Sequence, residues 1–216
     1  MPLLRDPGGC DFPVDPAIPS WTLPGLWAEE VFAAVIAIVP APLSYQSVVP
    51  FRMASFASRL NAETLADGLH LVVDDEHGPL RFWIGEGAER RPAIVIPLDE
   101  ACMVRLHHVR RFLRRWTGRP GGPLPHALRP TRYRIDRLAL ALRAVTARKA
   151  GATTRMIAGV SDPGVYTMRG ALWKDCDQRG TAERQMKLGE HLVAGGYLAL
   201  LRHGIPRNPE TASISA

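Results

Sequence analysis

The sequence predicts an α+β fold in which a small N-terminal β-meander with a closing helix precedes a helical domain. Residues 31–96 contain short apolar runs separated by turn-forming residues, a pattern typical of β-strands. From Asp99 onward, apolar residues recur at the three- and four-residue spacing of helices. Residues 117–130 are rich in Pro and Gly and divide the helical half, which indicates a domain boundary.

The strands of the predicted meander come from the first half of the chain. Five apolar segments predict strands, and they are Val31–Val39, Val48–Phe51, Leu69–Val73, Leu80–Ile84 and Ala93–Ile96. The first is the most apolar and is stopped by Pro40, which suits a buried strand. The third and fourth flank a turn sequence, so they predict a hairpin that the last segment extends. The consecutive acidic residues Asp74, Asp75 and Glu76 are predicted to lie at its tip.

The closing helix is predicted to begin near Asp99, a plausible N-cap. Its apolar stripe consists of Cys102, Leu106, Val109, Leu113 and Trp116. Four arginines lie off this stripe, and they are Arg110, Arg111, Arg114 and Arg115. They form either a solvated helix face or a ridge that binds phosphate.

Three further helices are predicted after the boundary. The first ends at Gly151, a C-cap type of residue, and Thr153 can cap a short second helix that ends at Asp162. The third runs roughly from Asp177 to Ala194. The residues expected to face inward are Ile135, Leu138, Ala139, Leu142 and Val145 on the first, Met156, Ile157 and Val160 on the second, and Ala182, Met186, Gly189 and Val193 on the third.

These elements predict five parts of the chain. In order, they are an extended arm (1–25), a β-rich domain with a C-terminal helix (26–118), a Pro/Gly linker (119–130), a helical domain (131–203) and a disordered tail (204–216).

Charge is distributed very unevenly along the sequence. Residues 1–100 carry six basic and 14 acidic residues, a net charge of −8, whereas residues 101–216 carry 21 basic and seven acidic residues, a net charge of +14. Twenty-four of the 27 cationic residues are arginine, whose guanidinium fits phosphates and guanine edges. A basic half of this size is typical of polyanion binding, because each neutralised phosphate releases counterions.

The helical domain has the order of elements found in helix-turn-helix proteins. A helix, a glycine turn, a short capped helix, a connector and a helix with exposed Arg, Gln and Thr predict a helix-turn-helix-like DNA-binding domain. Base reading requires side chains that can fork onto base edges, whereas phosphate contacts set the register. The candidate DNA-binding residues are Arg132, Arg134, Thr153, Arg155, Lys174, Gln178, Arg179, Thr181, Arg184, Gln185 and Lys187.

Other classes of function have no support in the sequence. The three cysteines lie far apart without a metal-binding spacing, so neither a metal nor a cofactor is expected. The nucleophile, phosphate-loop and dinucleotide motifs of enzymes are missing, and catalysis is not expected. With no membrane-spanning run and no signal peptide, the expected location is the cytoplasm.

Several of these segments resemble a known family. Arg137–Leu142, Gly151–Thr153 and Arg155–Ala158 resemble the LxALxxxxxGAsyReIA stretch of the RovC-like family of proteobacterial transcription regulators. Further matching segments with the same spacing are Trp173–Asp175, Arg179–Gly180, Arg184–Gln185 and Leu192–Tyr197. Upstream segments similar to the family's β-rich region are Asp67–Val73, Leu80–Trp83 and Pro97–Asp99. The likeness thus covers most of residues 27–201.

The resemblance implies a variant helix-turn-helix that binds promoter DNA, in a family tied to type VI secretion genes or to transfer of conjugative elements. The first hypothesis is therefore a sequence-specific transcription regulator, an activator, whose partners are duplex promoter DNA and further copies of itself. Some short members bind a partner regulator instead, so the alternative is an antiactivator or adaptor that binds another transcription regulator without DNA. Lys174, Arg179 and Arg184 favour the first hypothesis.

Overall fold

The computed structural model describes residues 24–52 and 59–204, and the chain divides into two compact units. We call Met1–Arg129 with Leu198–Ala216 the β unit, and Pro130–Tyr197 the helical unit. Nearly all of the predicted arm and tail lies outside the described residues. Residues from Leu198 belong to the β unit, where the Ala33 N–H donates to the Leu201 carbonyl at 3.2 Å.

Five strands of the described chain form one mixed sheet in the β unit. They are β1 (Val35–Pro40), β2 (Arg59–Leu65), β3 (Gly68–Val73), β4 (Leu80–Ile84) and β5 (Pro92–Val95). The order across the sheet is β2-β3-β4-β1-β5. β1 pairs in parallel with β4 and antiparallel with β5, so the most apolar strand lies inside the sheet with hydrogen-bonded neighbours on both edges.

The α+β class and the predicted hairpin are confirmed, but two strand predictions are wrong. β5 does not extend the hairpin, because it pairs with β1 and not with β4. Val48–Phe51 forms no strand; Phe51 instead buries its ring among the core residues. Strand β2 was missed because its side chains are mostly exposed and lack an alternating apolar pattern.

Helix α1 (Cys102–Trp116) covers the sheet through a face different from the predicted stripe. Its inner face carries Val109 and Phe112, and the Phe112 ring lies 5.2 Å from Phe82 and 6.0 Å from Phe51, centre to centre. Leu106 and Leu113 are each 47% exposed, so the predicted stripe is wrong there. The helix is turned so that its aromatic residues face the sheet, because they bury the most apolar area.

The N-terminus of α1 also differs from the prediction. Ala101 is the N-cap, and Asp99 lies two residues before it. The Asp99 carboxylate still accepts the Ala101 N–H at 3.0 Å, and it pairs with the Arg105 guanidinium at 3.1 Å. This carboxylate therefore orders the segment that enters the helix, and Arg105 is buried beside it.

Arg111 contradicts both interpretations of the arginine cluster on α1, since it is neither solvated nor free to bind phosphate. Its side chain is 2% exposed and donates to Asp75 at 3.0 Å, to the Gly78 carbonyl at 2.8 Å and to the Gly122 carbonyl at 2.9 Å. Arg111 thus joins α1 to the hairpin tip and to the Pro/Gly segment. The predicted linker lies along α1 in its first half, where Arg114 also donates to the Pro120 carbonyl.

The helical unit is built from α2 (Arg132–Lys149), α3 (Thr154–Ser161), the one-turn α4 (Ala171–Lys174) and α5 (Asp177–His191). Thr131 and Thr153 cap α2 and α3 through their hydroxyls, as predicted for Thr153. After α5, the wider turn Leu192–Gly196 contains Gly195 at φ 110°, and α6 (Tyr197–His203) follows. The buried core residues are Ala144, Ile157, Ala158, Val165 and Ala182.

Small residues form most of the contact between α2 and α5, and of the five residues predicted to face inward on α2 only Val145 is buried. Ala141, Ala144 and Val145 are buried on α2, whereas Ile135 and Leu142 are about half exposed. Met156 and Val160 on α3, and Val193 just after α5, are likewise exposed, so these parts of the predicted inner faces are wrong. Gly189 of α5 lies against the Ala141 carbonyl, which lets the two helices approach closely.

Gly189→Ala is expected to lower the free energy of unfolding by about 1–3 kcal/mol, since a Cβ at this position would overlap the Ala141 backbone and the Val145 side chain. Gly180→Ala, on the same helix, is the control. Its added Cβ meets only the flexible end of Arg184, and it should stabilise the helix by about 0.5–1 kcal/mol. Urea unfolding followed by circular dichroism measures both; equal effects would contradict the close helix contact.

Candidate nucleic-acid interface

The outer face of α5 presents a row of residues away from the core. Ala182 and Gly189 face inward and are buried. Gly180, Arg184, Lys187 and His191 follow one another at four-, three- and four-residue steps, which places them on one helix face. Arg184 and Lys187 are exposed, and neither forms an ion pair with any residue that the structure describes. This row offers two free cations on a helix of 15 residues.

The Arg184 side chain is oriented by its own helix. One of its terminal nitrogens donates to the Thr181 hydroxyl at 2.9 Å, three residues earlier. Gln185 points elsewhere, since adjacent helical residues are separated by about 100°. It is half-buried on the side of α5 that faces α3. Arg184 and Gln185 therefore do not project from the same helix face.

Two other predicted DNA contacts on α5 are engaged within the protein. Gln178 donates from its side-chain amide to Asp162 at 2.9 Å, which ties the start of α5 to the end of α3. Arg179 forms an ion pair with Glu183 at 2.9 Å, one helical turn later. Both side chains are half-buried, so they are less available to a ligand than Arg184 and Lys187.

A shallow cavity of about 250 Å³ separates α3 from the first turns of α5. Its floor is formed by alanines and its rim by polar side chains. The lining residues are Ala158, Ser161, Asp177, Gln178, Thr181, Ala182 and Gln185. Three of the predicted DNA-binding residues therefore line this cavity and do not lie on the outer row.

The remaining predicted site residues lie on other elements of the helical unit. Arg132 is exposed at the start of α2 and pairs with Asp136 at 3.4 Å, and Arg134 is half-buried nearby. The Thr153 hydroxyl accepts the Met156 N–H at 3.3 Å. The Arg155 guanidinium lies 4.7 Å from the centre of the Trp173 ring. Of the predicted cations outside α5, Lys174 alone is exposed and without an ion pair in the described chain.

The candidate residues chosen from the sequence do not include one exposed cation, Arg169, although the connector between α3 and α5 that carries it, Val165–Leu172, is the second choice for a DNA-reading segment. Arg169 precedes Gly170 and lies on the surface. The segment from Pro163 to Lys174 contains no acidic residue, and that composition could have pointed to it.

The charge contrast between the two units is smaller than the contrast between the sequence halves. The helical unit contains 12 basic and six acidic residues, a net charge of +6, whereas the β unit contains 15 of each and is neutral. The difference arises mainly because the five arginines of α1 belong to the β unit, where Arg105 and Arg111 are buried. The helical unit is therefore the electropositive part of the protein.

None of the helices in residues 24–52 and 59–204 has the length and apolar composition that crossing a bilayer requires. Within the same residues, no three His, Cys, Asp or Glu side chains cluster in a way that could hold a metal ion.

An electropositive helical unit with an exposed, arginine-bearing helix is typical of nucleic-acid-binding proteins, and comparison with known families assigns the chain to this class. Residues 95–202 match a family model described as a T6SS transcription factor DNA-binding domain, RovC_DNA-bd. This match covers half of the chain, so the protein belongs to the RovC family and carries its DNA-binding domain. The resemblance inferred from the sequence motifs is thereby confirmed.

Most of the described chain before residue 95 matches a second family. Residues 34–94, which contain the five-stranded sheet except for its last residue, match a domain of unknown function, DUF7012. A comparison with individually curated proteins found no significant match.

Proposed function

We propose that this protein is a sequence-specific transcription activator that lays α5 in the major groove of its promoter. The exposed row on α5 carries this proposal, because it combines an oriented guanidinium with a second free cation. A helix of 15 residues is about 22 Å long and fits a groove about 12 Å wide. Arg184 would read a guanine edge, with its guanidinium oriented by Thr181.

Other cations of the helical unit would bind phosphates. Lys187 shares the α5 row, and Lys174 lies just before the helix, so both suit contacts with the strands that border the groove. In this proposal Gln178, Arg179, Thr153 and Arg155 act mainly by positioning α3, α4 and α5 relative to one another, because their side chains already contact these elements.

The family and the geometry of helix-turn-helix binding support further proposals on the target genes, the assembly and the location of the protein. We propose that the target genes encode type VI secretion functions, in keeping with the family's description, or conjugative-element functions, as the resemblance of the sequence motifs implies. Each chain has one reading helix, so we propose that two copies bind adjacent half-sites as a dimer, which raises the affinity for DNA. The protein would act in the cytoplasm, where bacterial promoters are.

Selection of bound duplexes from a random pool, using the full chain, is expected to yield a defined motif. Arg184→Ala should then cost about 1–3 kcal/mol at that motif and relax the preference at one position. Lys187→Ala should weaken binding to all duplexes equally and lower the slope of log affinity against log salt by about one. Fluorescence anisotropy over a range of salt concentrations measures both effects.

Arg143→Ala is the matched control, because Arg143 is exposed on α2 about 200° around that helix from Ala141, which faces α5. It should retain the parent's motif and nearly all of its affinity. Selection of no motif, together with binding to another regulator, would replace this proposal with the antiactivator function. Sedimentation of a monomer on the selected duplex would contradict the proposed dimer.

A further inference from the structure

Four consecutive exposed residues project from the connector between α3 and α5. We call Arg169–Leu172 the connector tip. It makes its turn at Gly170, whose φ is +57° and which has no other heavy atom within 4 Å of where a Cβ would lie. On either side of the tip, Met168 and Trp173 pack against the core of the helical unit. The tip is therefore a short projection between two fixed points.

The base of the connector is held by several contacts. Val165 is fully buried, and the Asp162 carboxylate accepts the Gly164 N–H at 2.9 Å. The Thr167 hydroxyl donates to the Gly164 carbonyl at 2.8 Å. On the far side, Arg155 stacks on the Trp173 ring. These contacts fix the direction of the tip, so a ligand that binds it meets a preformed surface.

The chemistry of the tip combines one free cation, two small residues and one exposed apolar side chain. Arg169 forms no ion pair or side-chain hydrogen bond with the described residues, and Leu172 is 73% exposed. Gly170 and Ala171 leave the backbone accessible. No acid occurs between Pro163 and Lys174 to repel a polyanion. An isolated guanidinium suits the negative potential of a narrow minor groove, and a leucine can wedge between base steps there.

The position of the tip in the chain favours the same ligand. Leu172 is five residues before Asp177, where α5 begins, so at most about 18 Å of chain separates them. A tip so close to a helix in the major groove can reach the neighbouring minor groove of the same duplex, which is about 6 Å wide.

We propose that the connector tip binds the minor groove of the duplex that α5 occupies, with Arg169 in the groove and Leu172 against a base step. This inference rests on the proposed DNA-binding function and adds a second contact element to it. In this proposal the tip recognises the width and deformability of the minor groove, whereas Arg184 recognises base edges in the major groove.

The test compares a G·C-rich duplex with the same duplex containing inosine in place of guanine. Inosine lacks the amino group that fills the minor groove and keeps the major-groove acceptors of guanine. The full chain is expected to bind the inosine duplex about three- to tenfold more tightly. Arg169→Ala should abolish this preference, and Leu172→Ala should reduce DNA bending measured by energy transfer between end-attached dyes.

Arg143→Ala again serves as the control, because it removes the same charge from α2 and should keep both the inosine preference and the bend. If the parent binds DNA but the two tip variants behave like Arg143→Ala, the tip does not enter the minor groove and the inference fails alone. If the parent binds neither duplex, the proposed DNA-binding function fails with it. All three residues are exposed, so thermal melting should show the variants folded like the parent.

Discussion

Asp75→Ala is expected to lower the free energy of unfolding by about 3–5 kcal/mol, the cost of leaving one member of a buried ion pair without its partner. The side chains of Asp75 and Arg111 are 4% and 2% exposed, so water cannot replace the lost carboxylate. Arg111 would keep its bonds to the Gly78 and Gly122 carbonyls but lose its compensating charge. Urea unfolding at neutral pH measures the change.

The neighbouring residue supplies the control for this experiment. Asp74 precedes Asp75 in the same turn, is exposed, and should tolerate replacement by alanine with a change within about 0.5 kcal/mol. Arg110→Ala, next to Arg111 on α1, should be equally mild because Arg110 is exposed. If Asp75→Ala lowered the free energy of unfolding no more than Asp74→Ala does, the buried ion pair would not hold the hairpin tip to α1.

Lowering the pH from about 6.5 to about 3 is expected to remove roughly 3–5 kcal/mol of stability through His108 alone. The pKa of His108 is lowered to about 3, mainly by burial and in addition by the charges of Arg111, His107 and Arg81. Neither ring nitrogen has a hydrogen-bond partner in the described chain. As the pH falls through this window, His108 is protonated in the unfolded chain but stays neutral in the folded chain. Protonation therefore stabilises the unfolded state, and folding becomes less favourable.

His108→Leu should flatten this part of the stability profile. The leucine removes two buried polar atoms without partners, so stability at pH 7 should be unchanged or raised. His77→Leu, in the exposed hairpin turn, is the control and should retain the full loss between pH 6.5 and pH 3. Urea unfolding across this pH range tests the assignment. A His108→Leu profile parallel to that of the parent would assign the acid sensitivity to other groups.

Much of the secondary structure and the family could be predicted because they depend on local sequence. The hairpin of β3 and β4 follows from two apolar runs around a turn, and Thr153 caps α3 because its hydroxyl needs only the next helical turn. The motif residues from Arg137 to Tyr197 carry the family resemblance at fixed spacing. Of the candidate site, the outward position of Arg184 and Lys187 could be predicted from helical periodicity.

Partners distant in sequence could not be predicted in this way. Gln178 could be assigned to α5, but not to its bond with Asp162, 16 residues earlier. Arg155 could be assigned to α3, but its stacking on Trp173 requires the connector to turn back over that helix. From the sequence, both residues are therefore predicted to be free to contact DNA. In the folded protein, their side chains contact other residues of the helical unit.

The sequence by itself determined the α+β class, the hairpin, the helix order and the membership of a DNA-binding family, since turn chemistry and periodicity act over a few residues. The tertiary structure alone decided that β5 pairs with β1, that aromatic residues turn α1 toward the sheet, and that Arg111 is buried. Each of these outcomes depends on which surfaces meet. Burial of aromatic area turns α1, and the Asp75 carboxylate and two backbone carbonyls replace the water that Arg111 loses on burial.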